Sequence, residues 1–169
     1  MPGSYGHLAS RFFDYLRARP LDEAEIQDVR ALLSDEEARL YFDQSPRDQA
    51  HGYAAAMVVR AASVDREETL KAALLHDVGK TEARLGLLGR VLASLMIKLR
   101  VPLSRRMAAY RDHGPMGAAE LSEAGSATLV VEFARNHHGA RPEAVGEEDW
   151  DLLQKADIPA NARLARRRR

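Results

Sequence analysis

The residues of this 169-residue chain that are equipped for chemistry are imidazoles and carboxylates. Six histidines and no cysteine remove disulfides, thiolate metal sites and cysteine nucleophiles together. Five of the histidines, His51, His76, His113, His137 and His138, fall within or at the ends of helical stretches. Asp77 follows His76 directly, and Asp157 stands in Lys-Ala-Asp. Imidazole nitrogen and carboxylate oxygen together suit borderline divalent ions such as Mn, Fe, Co, Ni or Zn. An ion of that kind lowers the pKa of bound water from about 16 to about 7, so no serine or cysteine nucleophile is needed. Any one of these histidines alone reads as a core or surface residue; their order along the chain makes them a set.

That order is His51, then Leu74-Leu75-His76-Asp77-Val78-Gly79-Lys80, then Asp112-His113-Gly114, then Asn136-His137-His138-Gly139, then Ala156-Asp157. It resembles the HD-domain superfamily of metal-dependent phosphohydrolases, a helical fold named for its adjacent His-Asp pair. The resemblance runs from about Asp48 to Asp157. It is nearest to small stand-alone bacterial members of undefined substrate, in which Asp-Gln precedes the first histidine as Asp48-Gln49 does here. The resemblance implies a first metal site of His51, His76, Asp77 and Asp157. It implies a second ion held by His113 with one or both of His137 and His138, Asp77 bridging the two. His137 is the first choice. His138 is a second ligand, a group behind the ligands, a substrate contact or a surface residue.

Asp77 and Lys80 are the catalytic candidates, Lys80 either facing substrate phosphate or simply placed near a helix C-terminus. Gly79, Gly114 and Gly139 either allow close backbone approach or end helices. The implied activity is hydrolysis of a small phosphate monoester, nucleotide or phosphodiester by metal-activated water, with one or two divalent ions as cofactor. Two other readings accompany it. Some HD-fold proteins with four histidines and two aspartates around two irons are oxygenases. Others are non-catalytic signalling modules, which usually lose ligands that this chain keeps. Thr81 to Gly89 lacks the Gly-Tyr-Pro tripeptide of the cyclic-dinucleotide subfamily.

The elements that must position these residues read as helices throughout. Alanine, leucine, arginine and glutamate dominate, with no alternating β-branched run, so the expected fold is all-α and HD-domain-like. A first helix is expected over about Leu8 to Arg19, stopped by Pro20. Asp22 caps a second, and Ser34 with Glu37 forms a capping box for a third that ends near Phe42. Ser45-Pro46 opens a long helix to about Ala62, with His51, Ala54, Ala55 and Val58 on one face. Asp65 or Arg66 begins the next, and Gly79 sits where it ends. Further helices are expected over Leu85 to Arg100, Ser104 to Tyr110, Pro115 to Ala124, Ala127 to His137 and Glu147 to Ile158. Trp150, Leu153, Ala156 and Phe133 read as core, and Arg141 to Gly146 as loop. The organisation is an N-terminal helical segment over 1–44, a metal-binding domain over 45–162 and a basic tail over 163–169, together one structural domain.

Net charge is zero but segregated. Residues 1–80 carry −4, residues 81–113 carry +5, residues 114–162 carry −6 and the last seven add five arginines. The basic block is tethered at both ends to candidate site residues, so it either rims the site and steers an anionic substrate or forms solvated helix faces. The apolar stripe Leu87, Leu88, Val91, Leu92, Leu95, Met96 and Leu99 reads as core, the alternatives being a lid, a homodimer surface or a membrane-docking face. No stretch resembles a signal peptide or a clean membrane span, so a cytoplasmic protein is expected. No basic-aromatic pattern accompanies the arginine tail, so no stable nucleic-acid complex is expected; the expected partner is a small phosphorylated substrate.

Overall fold

Helices begin where side chains can satisfy their first backbone N–H groups. A computed structural model describes residues 19–62 and 66–158; the helix expected over 8–19 and the tail over 163–169 lie outside these, save Arg19. Asp22 caps α1 (Glu23–Leu32) and Ser34 caps α2 (Asp35–Phe42), each through a reciprocal capping box with the glutamate three residues on. Ser45 accepts from the Asp48 backbone N–H at 3.3 Å as α3 (Pro46–Ala62) starts. The chain continues as α4 (Glu67–Leu75), a short α5 (Lys80–Ala83), α6 (Leu87–Leu99), α7 (Arg105–Arg111), α8 (His113–Glu123), α9 (Thr128–Asn136) and α10 (Glu147–Ala156). The described residues form no strand. The all-helical expectation holds; α5, too short for a periodic signal, is an addition to it.

The centre of the molecule is α4. Every residue from Ala72 to Gly79 is buried, because α3, α9 and α10 pack around it with α2 at one end. One core cluster joins Val29 and Tyr41 of the first two helices to Leu74, Leu121, Phe133 and Leu153. Phe133 and Trp150, expected in the core, are both buried and meet edge to face at 5.6 Å. Arg66 and Thr69 both donate to Asp149 Oδ1, at 2.7 and 2.9 Å, which ties α10 to the start of α4.

Two expectations about helix faces are corrected. In α3 the buried side is Gly52, Ala55, Ala56 and Val59, while Ala54 is exposed. The face is rotated because Gly52 lets the α4 backbone come close: a Cβ there would stand 2.6 Å from Leu74 O. In α6 the stripe read as core is largely in solvent, with Leu88, Val91, Leu92, Leu95 and Leu99 all exposed and Ala93 turned inward. Among the described residues α6 packs on α7 and is tied inward by the Arg90–Asp48 ion pair, which leaves the stripe outside. Arg90 Nη1 donates to both carboxylate oxygens of Asp48 at 2.7 Å, and its Nε donates to Leu85 O at 3.1 Å.

The turn after α4 presses backbone to backbone on the first turn of α8. A Cβ on Gly79 would lie 2.1 Å from His113 O and 2.5 Å from Gly117 N. Neither neighbour can move without shifting α8, so Gly79→Ala is expected to cost about 3 kcal/mol, lowering Tm by roughly 6–12 °C. Gly86→Ala, with open space around its Cβ, should cost less than about 1 kcal/mol. Thermal unfolding of the two variants followed by circular dichroism checks the contrast.

Candidate metal centre

Three histidines reach the centre from helix ends, and all three are oriented by the same device. His76 follows the last residue of α4, His137 follows the last residue of α9, and His113 stands just past α7. Helix C-termini leave carbonyls without intrahelical donors. Each ring turns its Nδ1 onto the carbonyl three residues back: His76 to Ala73 O at 2.9 Å, His113 to Tyr110 O at 2.8 Å and His137 to Ala134 O at 2.8 Å. A carbonyl can only accept, so each Nδ1 carries a proton. In the neutral ring Nε2 is then a bare lone pair, aimed away from the helix and into the core.

The three Nε2 atoms meet the carboxylates there. His113 Nε2 lies 3.3 Å from His137 Nε2, and the two stand 3.3 and 3.6 Å from Asp77 Oδ1. His76 Nε2 is 3.4 Å from Asp77 Oδ2 and 3.3 Å from Asp157 Oδ1. His51, partly buried on α3's second turn, brings its Nε2 to 3.0 Å from the same Asp157 oxygen. Lys80 Nζ donates to Asp77 Oδ2. His138 lies against His137 and His113, tilted to the first and edge to face with the second at ring distances of 3.9 and 5.2 Å, and is more exposed than either. All seven residues singled out from the sequence as ligand candidates, and Lys80, therefore lie in one cluster. Ligand atoms of His51, His76 and Asp77 come within 4.8 Å of one another, as do those of His113, His137 and His138.

Such a gathering of lone pairs and carboxylates is stable only around positive charge. His76 Nε2 and Asp77 Oδ1 are buried with no hydrogen-bond partner among the described residues, the mark of atoms waiting for something between them. Burial would lower the His76 pKa, but Asp77 and Asp157 outweigh it and raise it, so a proton is held there when nothing else is. Burial would raise the Asp77 carboxyl; Lys80 and His76 reverse that and keep it ionised. Asp157 is likewise pressed upward by burial and brought well down by His51 and His76. Burial lowers His137, and it lowers His138 to about 3 with help from His137 and His113, so both rings stay neutral. Ionised carboxylates and neutral imidazoles fit a borderline divalent cation. The carbonyl-anchored rings are the kind of outer support that fixes ligand tautomer and direction.

Lys80 belongs both to this cluster and to the wall of a broad cavity of about 870 Å³, lined also by Gln44, Arg84, Leu85, Arg90 and Glu120. Of the basic block, Arg84 and Arg90 reach that wall, whereas Lys98, Arg100, Arg105 and Arg111 do not. Gly79 and Gly114 serve close approach, Gly114 against Arg135 O of α9 at 2.9 Å, while Gly139 meets little beyond its own turn. Sequence reasoning did not find the pair Asp48–Arg90 or the donation of Gln154 Nε2 to His137 O at 2.7 Å. The pattern Ser45-x-x-Asp48 was the available signal for the first; the second, between residues far apart in sequence, left none.

If the cluster takes a cation, binding adds stability only to the folded chain. Mn²⁺ or Zn²⁺ at a thousandfold excess over Kd is expected to add about 4 kcal/mol, raising Tm by roughly 8–16 °C. Asp77→Ala and Asp157→Asn should remove most of that rise, checked by thermal unfolding with and without the ion after chelator treatment. An equal rise in both variants would mean the ion binds elsewhere.

The HD domain family pattern matches residues 49–167. Neither a curated protein nor a solved structure matches the chain. With the family pattern covering well over half its length and the His-Asp clusters converging as described, the chain belongs to the HD-domain family.

Proposed function

We propose that this chain is a metal-dependent phosphohydrolase acting on a small phosphate monoester, nucleotide or phosphodiester. HD-domain proteins are typically metal-dependent phosphohydrolases, and this chain carries candidate His/Asp clusters for a divalent ion. The observation that carries the reading is Asp77, whose two oxygens face different partners. Oδ2 meets His76 and Lys80, and Oδ1 meets His113 and His137. That is the position of a carboxylate shared between two adjacent ligand groups. In this reading His51, His76, Asp77 and Asp157 hold one divalent ion and Asp77, His113, His137 and His138 a second. Ions held there would supply Lewis acidity toward a phosphoryl oxygen and a water acidic enough to ionise near neutral pH.

The chain's own contribution is placement and charge. The rings of His76, His113 and His137 cannot swing away while their Nδ1 atoms hold helix-end carbonyls, so these three donors are arranged in advance of binding. Burial would lower the Lys80 pKa; Asp77 outweighs it and raises it, so the ammonium stays charged. Lys80 then neutralises one Asp77 oxygen and presents a cation at the cavity wall where an anionic phosphate would sit. Asp77 and Lys80 are thus the proposed catalytic pair, the first as shared ligand and the second as phosphate contact.

The test is a screen of phosphate monoesters, diesters and nucleotides with Mn, Fe, Co, Ni or Zn added, run on wild type and variants. Metal-dependent phosphate release is expected, with kcat/KM down about a thousandfold in Asp77→Ala. Lys80→Met should be weaker by roughly ten- to a hundredfold, mostly in KM if Lys80 binds substrate in its ground state. Activity unchanged by Asp77→Ala overturns the site. Oxygen uptake with an iron-loaded protein, and no phosphate release, overturns the hydrolase reading in favour of an oxygenase.

A further inference from the structure

The outer face of α6 has no partner among the described residues, yet it is the most apolar exposed surface they present. Leu88, Val91, Leu92, Leu95 and Leu99 recur at helical spacing along one side, and Val101 extends the stripe beyond the C-terminus. Leu88 is 80% exposed and Leu99 63%, and Val91, Leu92 and Leu95 between them are each a little under half exposed. The 13 residues of α6 make a rod about 20 Å long. A continuous apolar stripe of that size on a folded chain marks a contact surface.

Charge identifies the contact. Between Glu82 and Asp112 the chain carries seven arginine or lysine residues, of which Arg90 is paired with Asp48 and Arg111 with Asp112. Exposed Arg84 stands ahead of the stripe, and exposed Arg100 and Arg105 stand beyond its far end. The inward side of α6 is pinned by Arg90 on Asp48, which keeps the apolar side turned outward. A second copy docked through the same face would bring these arginines against their own counterparts. An anionic lipid surface meets both features, since its headgroups attract the cations while its acyl boundary receives the leucines. No helix among the described residues is long and apolar enough to cross a membrane, so contact would be peripheral.

We propose that α6, with Arg84, Arg100 and Arg105, is a docking surface that seats this protein on anionic lipid bilayers. The inference does not depend on the hydrolase reading and its test does not use activity. Wild type is co-sedimented with phosphatidylcholine vesicles, with and without about 30% phosphatidylserine. Binding at least about tenfold stronger to the anionic vesicles is expected, and it should weaken as salt is raised. Leu92→Glu/Leu95→Glu should lose binding while keeping its Tm, and Arg100→Glu/Arg105→Glu should lose the preference for anionic vesicles. Absence of vesicle binding, or binding unchanged in the Leu92→Glu/Leu95→Glu variant, overturns the proposal. So does a concentration-dependent dimer that this variant abolishes, which would make a second copy the occupant. A drop of more than about 5 °C in the variant's Tm would assign the face to other residues of this chain and overturn it as well.

Discussion

The constraint on which the rest of this structure depends is that buried lone pairs and carboxylates must not face one another without positive charge between them. Five imidazoles and two carboxylates are gathered at the end of the most buried of the described helices, His76, Asp77, His113 and His137 shut off from water and His51, Asp157 and His138 nearer the surface. Desolvation of such groups costs several kcal/mol each unless they are paired. A proton on His76 and the ammonium of Lys80 meet part of that demand, and a divalent ion meets it with a donor set of the right chemistry. The surrounding helices hold this arrangement against its own repulsion.

They do so through backbone. Histidine at a helix end satisfies a carbonyl that would otherwise go without a donor, and in doing so fixes its own ring. One hydrogen bond thus serves the helix and the site together. Glycine does the complementary work: at Gly79 and Gly117 the chain segments bearing Asp77 and His113 come into backbone contact, which no larger residue would allow. The distance between those ligand groups is therefore set by main-chain packing and is insensitive to side-chain rearrangement nearby.

Much of this was legible in the sequence, for different reasons in different places. The caps at Asp22 and Ser34 are local patterns, and the helices start where those patterns put them. The cluster was legible because the His76-Asp77-Val78-Gly79-Lys80 string is specific and the other histidines follow in order. What gave no signal was direction. Periodicity shows that α6 has an apolar side but not what lies opposite it, and the inference of a core face was wrong because α6 turns Ala93 and the Arg90–Asp48 ion pair inward instead. Small rotations of the same kind put Ala54 of α3 in solvent and Gly52 inside. The pairing of Asp77's two oxygens with different histidines likewise depends on tertiary geometry that spacing along the chain cannot encode.

The ion pair between Asp48 and Arg90 links parts of the molecule that otherwise share little. Asp48 stands three residues before His51 on α3, so the turn that presents His51 is also the turn that seats α6. An equilibrium that orders this turn is common property of the centre and the periphery. By thermodynamic reciprocity, whatever free energy occupancy of the centre contributes to holding α6 in place, a held α6 returns to the affinity of the centre. Any ordering of that turn would in this sense be felt both at the outer helix and at the buried cluster.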